Sequence, residues 1–238
     1  MSVLFARARS FLRARFSREG TVGLYLTAGF VASAFVVLLF GSLAGFVSGP
    51  EGYALDRHVT LAVRRWHTPG HDRLLRDITA LGDFLVLLPA TLAVTAALAW
   101  KGHRVSARLF AGSVAGGFLL NSLLKWSFER VRPDLWPPLV TEHTFSFPSG
   151  HTSMATVFYG GVVAVVFHLT PSARPRLACF LGAAALIAAV AVSRVYLGAH
   201  WLTDVVGGLL VGLFWVILCA TGTEFLARRQ ALRQPGNL

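Results

Sequence analysis

Three short polar clusters interrupt an otherwise apolar chain, and their residue types are those that phosphoryl chemistry uses. The first runs Lys125-Trp-Ser-Phe-Glu-Arg-Val-Arg132-Pro133, the second is Pro148-Ser149-Gly150-His151, and the third runs Ser193-Arg194-Val-Tyr-Leu-Gly-Ala-His200-Trp-Leu-Thr-Asp204. If Lys125, Arg132 and Arg194 converge, their mutual repulsion calls for an anion between them, and phosphate is the obvious one. Pro148 stops the preceding loop, Ser149 is predicted as a helix N-cap, and Gly150 lets backbone come close. The second cluster therefore reads as a helix start whose free N–H groups attract an anion. His200 and Asp204 are four residues apart at the predicted start of a helix, which puts them on one face within hydrogen-bonding reach. A carboxylate on one imidazole nitrogen fixes the tautomer, leaves the other nitrogen as nucleophile or base, and stabilises the imidazolium.

The elements that must position these clusters are membrane helices. Of 238 residues, 55% are hydrophobic and only 14% charged, against roughly 25% charged in ordinary soluble domains, and the mean hydropathy is +0.61. Six apolar segments long enough to cross a bilayer are predicted near Thr21–Val47, Ile78–Trp100, Leu109–Lys125, Thr152–Leu169, Leu177–Arg194 and Trp201–Thr223. The expected fold is all-α: one integral membrane bundle of six transmembrane helices at 21–223, with a basic tail or interfacial helix at 1–20 and a basic tail at 224–238. The first segment is too long for a signal-peptide core and lacks a convincing cleavage site, so it is expected to remain as an anchor. An even number of crossings puts both termini on one side. Thirteen of the 22 Lys and Arg fall on that side and nine opposite, which places both termini in the cytoplasm and all three clusters on the outer face.

Trp100, Trp126 and Trp201 lie at segment ends and are read as anchors at headgroup level. Residues 51–77 carry Leu55, Val59, Ala62, Val63 and Trp66 at helical spacing, with a break at Thr68-Pro69-Gly70, and are read as a short interfacial helix on the outer side. Cys179 and Cys219 both sit in apolar runs, so a disulfide framework is not expected. The net charge of +11 would suit a nucleic-acid binder, but the cations sit at the edges of apolar segments, where they fix topology and meet anionic headgroups. His58, His67, His71, His103, His143 and His168 show no metal-ligand spacing, and no metal site is predicted. Glu129, Arg130 and Asp134 are read as a solvated rim. Asp83 is left open between a helix-start charge and a group facing the outer pocket.

The ordered set of Lys125, Arg132-Pro133, Pro148-Ser149-Gly150-His151, Ser193-Arg194, His200 and Asp204 resembles the three-part signature of the type 2 phosphatidic acid phosphatase superfamily, with every signature position filled. That resemblance implies a two-step phosphoryl transfer without metal or other cofactor. His200 would attack phosphorus to give a phosphohistidine, Asp204 would orient it, and His151 would protonate the leaving oxygen and later help water attack. Lys125, Arg132, Ser149, Gly150 and Arg194 would hold the phosphate oxygens. The implied substrate is a lipid phosphate at the outer membrane face, in a bacterium at the inner membrane: undecaprenyl pyrophosphate, phosphatidylglycerol phosphate, phosphatidic acid or lipid A.

Two other functions compete with this reading. A phosphotransferase would pass the phosphoryl group to another lipid, lipid A included, instead of to water. A non-enzymatic anion or lipid transporter would also use membrane cations. Against it, the chain has no paired broken helices in matching halves, and its polar groups gather at one interface and not at the midplane.

Overall fold

The computed structural model describes residues 18–137 and 139–233. The predicted basic helix at the N-terminus therefore lies outside the described residues, save its last few. Within them the chain is helical throughout, with no strand: α1 (Arg18–Val47), α2 (Pro50–Arg64), α3 (Pro69–Ala80), α4 (Phe84–Trp100), α5 (Arg104–Phe128), α6 (Gly150–Leu169), α7 (Ala173–Tyr196) and α8 (Leu202–Arg233). Five of these are long and apolar enough to cross a membrane, and α3 with α4, bent by 42° at their junction, supplies a sixth if counted as one span. This is an integral membrane protein. The segment expected as one crossing from Ile78 to Trp100 is thus a broken one: Ile78 belongs to α3, and the break spans Leu81 to Asp83.

The exposed surface is what a bilayer demands. On α1, Phe30, Val31, Phe35 and Leu38 are all more than half exposed, a pattern that would be costly in water and costs nothing against acyl chains. Since lipid is as apolar as leucine, helix association here rests on close packing and internal polar contacts instead of hydrophobic expulsion. Leu87 and Leu98 of α4, Phe110 and Val114 of α5, and Met154, Val157 and Phe158 of α6 form one buried apolar cluster. The α6–α8 contact is tighter. A Cβ on Gly208 would lie 2.5 Å from the Ser149 carbonyl oxygen, and one on Gly212 would lie 2.5 Å from Thr156 Cβ. Two glycines four apart thus let the helix carrying Asp204 press its backbone against the helix that begins at Gly150.

The stretch expected as one interfacial helix is two, α2 and α3, divided at Thr68-Pro69, where the Thr68 side chain caps α3 through the His71 N–H. The inward face of α2 is also not the apolar one. Gly52, Asp56 and Thr60 are buried, whereas Leu55 and Trp66 are exposed. Trp100 and Trp126 stand exposed as an anchoring belt requires, but Trp201 does not: it is 3% exposed and donates from Nε1 to the Val131 carbonyl at 3.2 Å. Its indole packs the connection onto α8 instead of marking the headgroup level.

Candidate active site

The first polar cluster sits at the end of α5. Buried positions on that helix recur at Ala107, Phe110, Val114, Gly117, Asn121 and Lys125, so the inward stripe ends in a cation. Glu129 adopts a left-handed C-cap conformation at φ 47° and turns the chain back across the bundle. The connection from Arg130 to Ser149 then folds over the helix ends, tied down by Ser146 N–H to the Arg130 carbonyl at 2.8 Å and by Leu139 N–H to the Leu197 carbonyl at 3.1 Å. Arg132, within this connection, spreads its guanidinium over many acceptors. Nε donates to the Thr144 carbonyl at 2.7 Å, Nη1 to the Ala199 carbonyl at 2.7 Å, and Nη2 to the Phe145 carbonyl at 3.3 Å. Lys125 Nζ donates to the same Phe145 carbonyl, which brings the two cations of the first cluster to one point.

His200 lies in the turn between α7 and α8, not on a helix. Gly198 makes that turn at φ 69°, and the N–H groups of Ala199 and His200 both return to the Arg194 carbonyl. The histidine is buried, with Nδ1 3.4 Å from Asp204 Oδ2 and 3.3 Å from Ser146 Oγ. On its other edge, Arg132 Nη1 lies 3.2 Å from Nε2. A guanidinium can only donate, so Nε2 carries the lone pair and the proton sits on Nδ1, facing Asp204. Burial, and then the charges of Arg132, Arg194, Lys125 and His151, hold the His200 pKa well below the ordinary imidazole value. Its neutral form is therefore the stable one around neutrality.

A second guanidinium, this one buried, lies near this imidazole. Arg194, 1% exposed near the end of α7, donates from Nη1 to Thr79 Oγ1 at 2.8 Å and from Nη2 to Glu142. The Glu142 carboxylate also lies 3.7 Å from Arg132 Nη2 and 3.7 Å from His151 Nδ1. Burial alone would raise the Glu142 pKa, but Arg194, His151 and Arg132 outweigh it and hold the carboxyl below its usual range. Glu142 is thus an anion lodged between two guanidiniums and an imidazole that three separate clusters contribute. His151, in the first turn of α6, is held from its other side by Asp83, 3.3 Å from Nε2. Asp83 does both things the sequence left open: Oδ1 caps α4 through the Leu85 N–H at 2.8 Å, and Oδ2 reaches the histidine.

The sequence-predicted site residues thus come together, with three corrections. Ser149 occupies the N-cap position of α6, but its side chain caps nothing; Oγ accepts from Thr152 Oγ1 at 3.2 Å, while its N–H is taken by the Asp204 carbonyl at 2.9 Å. Gly150 stands where a Cβ would lie 3.5 Å from Lys125 Cε, so it admits the lysine beside the helix start. The pairing of His200 with Asp204 forms across the turn into α8 and not along a helix face. Arg130 is not on a solvated rim: it bonds Asp56 Oδ2 at 2.7 Å and Asp204 Oδ1 at 2.5 Å. Glu129 and Asp134 are exposed, as expected of a rim. Sequence reasoning missed Glu142, Ser146 and Asp56 altogether. Of these only Asp56 left a signal, a carboxylate flanked at four-residue spacing by Gly52 and Thr60.

An all-helical membrane bundle that collects Lys125, Arg132 and Arg194 around a carboxylate-backed imidazole defines a class of membrane-embedded proteins that handle phosphate. The chain belongs to the PAP2 superfamily, whose family model matches residues 106–227. It is 33% identical over 192 residues to phosphatidylglycerophosphatase B of Bacillus subtilis, covering 80% of this chain and 94% of that protein. A lipid A 1-phosphatase of Rhizobium johnstonii is 34% identical over 125 residues, 49% of this chain and 47% of that one. The crystal structure of a transmembrane PAP2 type phosphatidylglycerolphosphate phosphatase from Bacillus subtilis superposes with a TM-score of 0.76 at 32% identity, covering 81% and 96% of the two chains. The fold is shared more distantly with Aquifex aeolicus LpxE, with a TM-score of 0.54 at 22% identity over 69% and 94%.

Proposed function

We propose that this protein is a lipid phosphate phosphatase that works through a phosphohistidine on His200. The observation that carries the reading is the orientation of that imidazole: Nδ1 backed by Asp204 and Ser146, Nε2 turned toward Arg132 and the cations beyond it. In the first step Nε2 attacks phosphorus, the bond to the lipid oxygen breaks, and its electron pair is met by a proton from His151. Asp204 accepts the Nδ1–H bond that strengthens as the imidazole gains positive charge. In the second step water attacks phosphorus and gives its proton to His151, and the electron pair of the P–N bond returns to Nε2. Lys125, Arg132, Arg194 and the α6 start around Ser149 and Gly150 hold the phosphoryl oxygens, as a reaction limited by positioning and charge stabilisation requires. Similarity to phosphatidylglycerophosphatase B makes phosphatidylglycerol phosphate the first substrate to try, with phosphatidic acid, undecaprenyl pyrophosphate and lipid A beside it.

The excess of Lys and Arg on the side of the termini supports a cytoplasmic-membrane protein with both termini inside and the site facing outward. The reading is tested by phosphate release from those lipids by detergent-purified protein in the presence of EDTA, beside His200→Ala. Release that persists in EDTA and vanishes in a folded His200→Ala variant is expected. Full activity of that variant would overturn the nucleophile, and labelled phosphate found on an acceptor lipid in place of free phosphate would make the protein a transferase. For orientation, an impermeant thiol reagent on whole cells is expected to label Thr68→Cys and spare Gly102→Cys; the opposite pattern would invert the topology.

A further inference from the structure

Asp56 is a fully buried carboxylate on α2, a helix outside the residues that match the family model, and no step above uses it. Its partners are specific. Oδ1 accepts the backbone N–H of Thr203 at 2.9 Å, and Oδ2 accepts Thr203 Oγ1 at 2.5 Å and Arg130 Nη2 at 2.7 Å. Arg130 in turn donates from Nη1 to Thr203 Oγ1 at 2.8 Å and to Asp204 Oδ1 at 2.5 Å. The guanidinium is therefore clamped between two buried carboxylates. Asp56 also caps the first turn of α8 from a different helix, satisfying an N–H that no intrahelical carbonyl can reach.

The consequence falls on Asp204. Its Oδ2 accepts from Trp201 N–H at 2.9 Å and from Ser146 Oγ, and faces His200 Nδ1. Its Oδ1 is committed to Arg130. With both oxygens assigned, the carboxylate plane is set, and a rotation that took Oδ2 away from the imidazole would break the charge-assisted bond on Oδ1. Arg130 also shares its one positive charge with Asp56, so Asp204 remains an anion able to stabilise the imidazolium. Remove Arg130 and two carboxylates would meet at the start of α8 with no cation between them.

We infer that Asp56 and Arg130 form a positioning pair for the reaction, holding Asp204 in the orientation that makes His200 a nucleophile. The inference rests on the phosphohistidine reading above. Two variants test it. Asp56→Asn keeps the size of the side chain and an acceptor for the Thr203 N–H, and Arg130→Gln removes the clamp. With wild-type protein releasing phosphate, both are expected to lower kcat by roughly 10- to 100-fold, the scale on which outer partners of a functional group act. KM and the inhibition constant of inorganic phosphate should stay within about twofold, because Lys125, Arg132 and Arg194 are untouched. The decisive readout is Asp204→Asn, in whose background Asp56→Asn should cost less than about twofold, since the effect has no other route to His200. Losses that multiply in the double variant, or a changed KM with kcat intact, would overturn the pair as a positioning device and leave it a brace between α2 and α8. A wild type that releases no phosphate would instead sink the functional reading on which the inference stands.

Discussion

Replacing Arg132 with lysine keeps the charge and removes the geometry, and the structure says what that should cost. One planar group serves the Thr144 carbonyl at 2.7 Å, the Ala199 carbonyl at 2.7 Å, the Phe145 carbonyl at 3.3 Å and His200 Nε2 at 3.2 Å. A lysine ammonium has three donors on a single tetrahedral nitrogen and cannot span the Thr144 carbonyl and the imidazole together. As Nε2 attacks phosphorus, the N–H that meets it must pass to a phosphoryl oxygen. That bond and the one to the Thr144 carbonyl, at about 1.5–3 kcal/mol each, are then at stake, and the retained positive charge offsets part of the loss. A net loss of about 3 kcal/mol is on the order of 10²-fold in kcat/KM. The measurement is steady-state phosphate release from phosphatidylglycerol phosphate in mixed micelles, with a size-exclusion profile to verify the fold. A kcat/KM within about threefold of wild type would refute the argument, because it would mean that no planar fork is needed beside His200.

Other consequences of the site can be measured separately. Glu142→Gln removes an anion that competes for Arg194 and Arg132, so inorganic phosphate should inhibit at a concentration roughly fivefold lower, about 1 kcal/mol; an unchanged inhibition constant would show that the carboxylate does not compete. The reactive form of His200 is the neutral one and its pKa lies below 6.5, so the acid limb of kcat/KM, which reports the free protein, should fall below pH 6.5. A limb at or above that value would contradict the buried, cation-flanked imidazole. Gly208→Ala places a Cβ 2.5 Å from the Ser149 carbonyl oxygen, so it should part α6 from α8, destabilise the fold by about 1–3 kcal/mol through steric overpacking, seen as a lower thermal midpoint, and reduce activity. A variant as stable and active as wild type would show that the contact is not tight.

Much of the site was legible because its chemistry is written at short range. Lys125 and Arg132 flank one helix end, Ser149, Gly150 and His151 open one helix, and Arg194, His200 and Asp204 border one turn. Spacing of that kind survives whatever the tertiary arrangement is. Glu142 and Ser146 were not legible for the converse reason. They sit in the connection between α5 and α6, where no periodicity assigns a direction to a side chain, and their roles exist only because that connection folds back onto Arg194 and Asp204. Arg130 is the sharper case. Two residues from Arg132 in a polar loop, it had every mark of a solvated charge, and only its two long-range carboxylate partners, Asp56 and Asp204, bring it inside.

The polar inward face of α2 and the burial of Asp56 are the same physical fact. In water, the apolar stripe of an amphipathic helix turns inward. In a bilayer the outside is apolar too, and the expensive residues are the polar ones, which must find partners within the bundle. Gly52, Asp56 and Thr60 therefore point inward while Leu55 and Trp66 face out. Asp83 obeys the same rule at the break between α3 and α4, where a lone carboxylate in an apolar run finds both a helix start to cap and His151 to hold. In a chain this apolar, each carboxylate within reach of a span is best asked first which cation or N–H it serves. For Asp56 the answer runs through Arg130 and Asp204 to His200, so a helix that looked like interfacial packing reaches the site through three side chains.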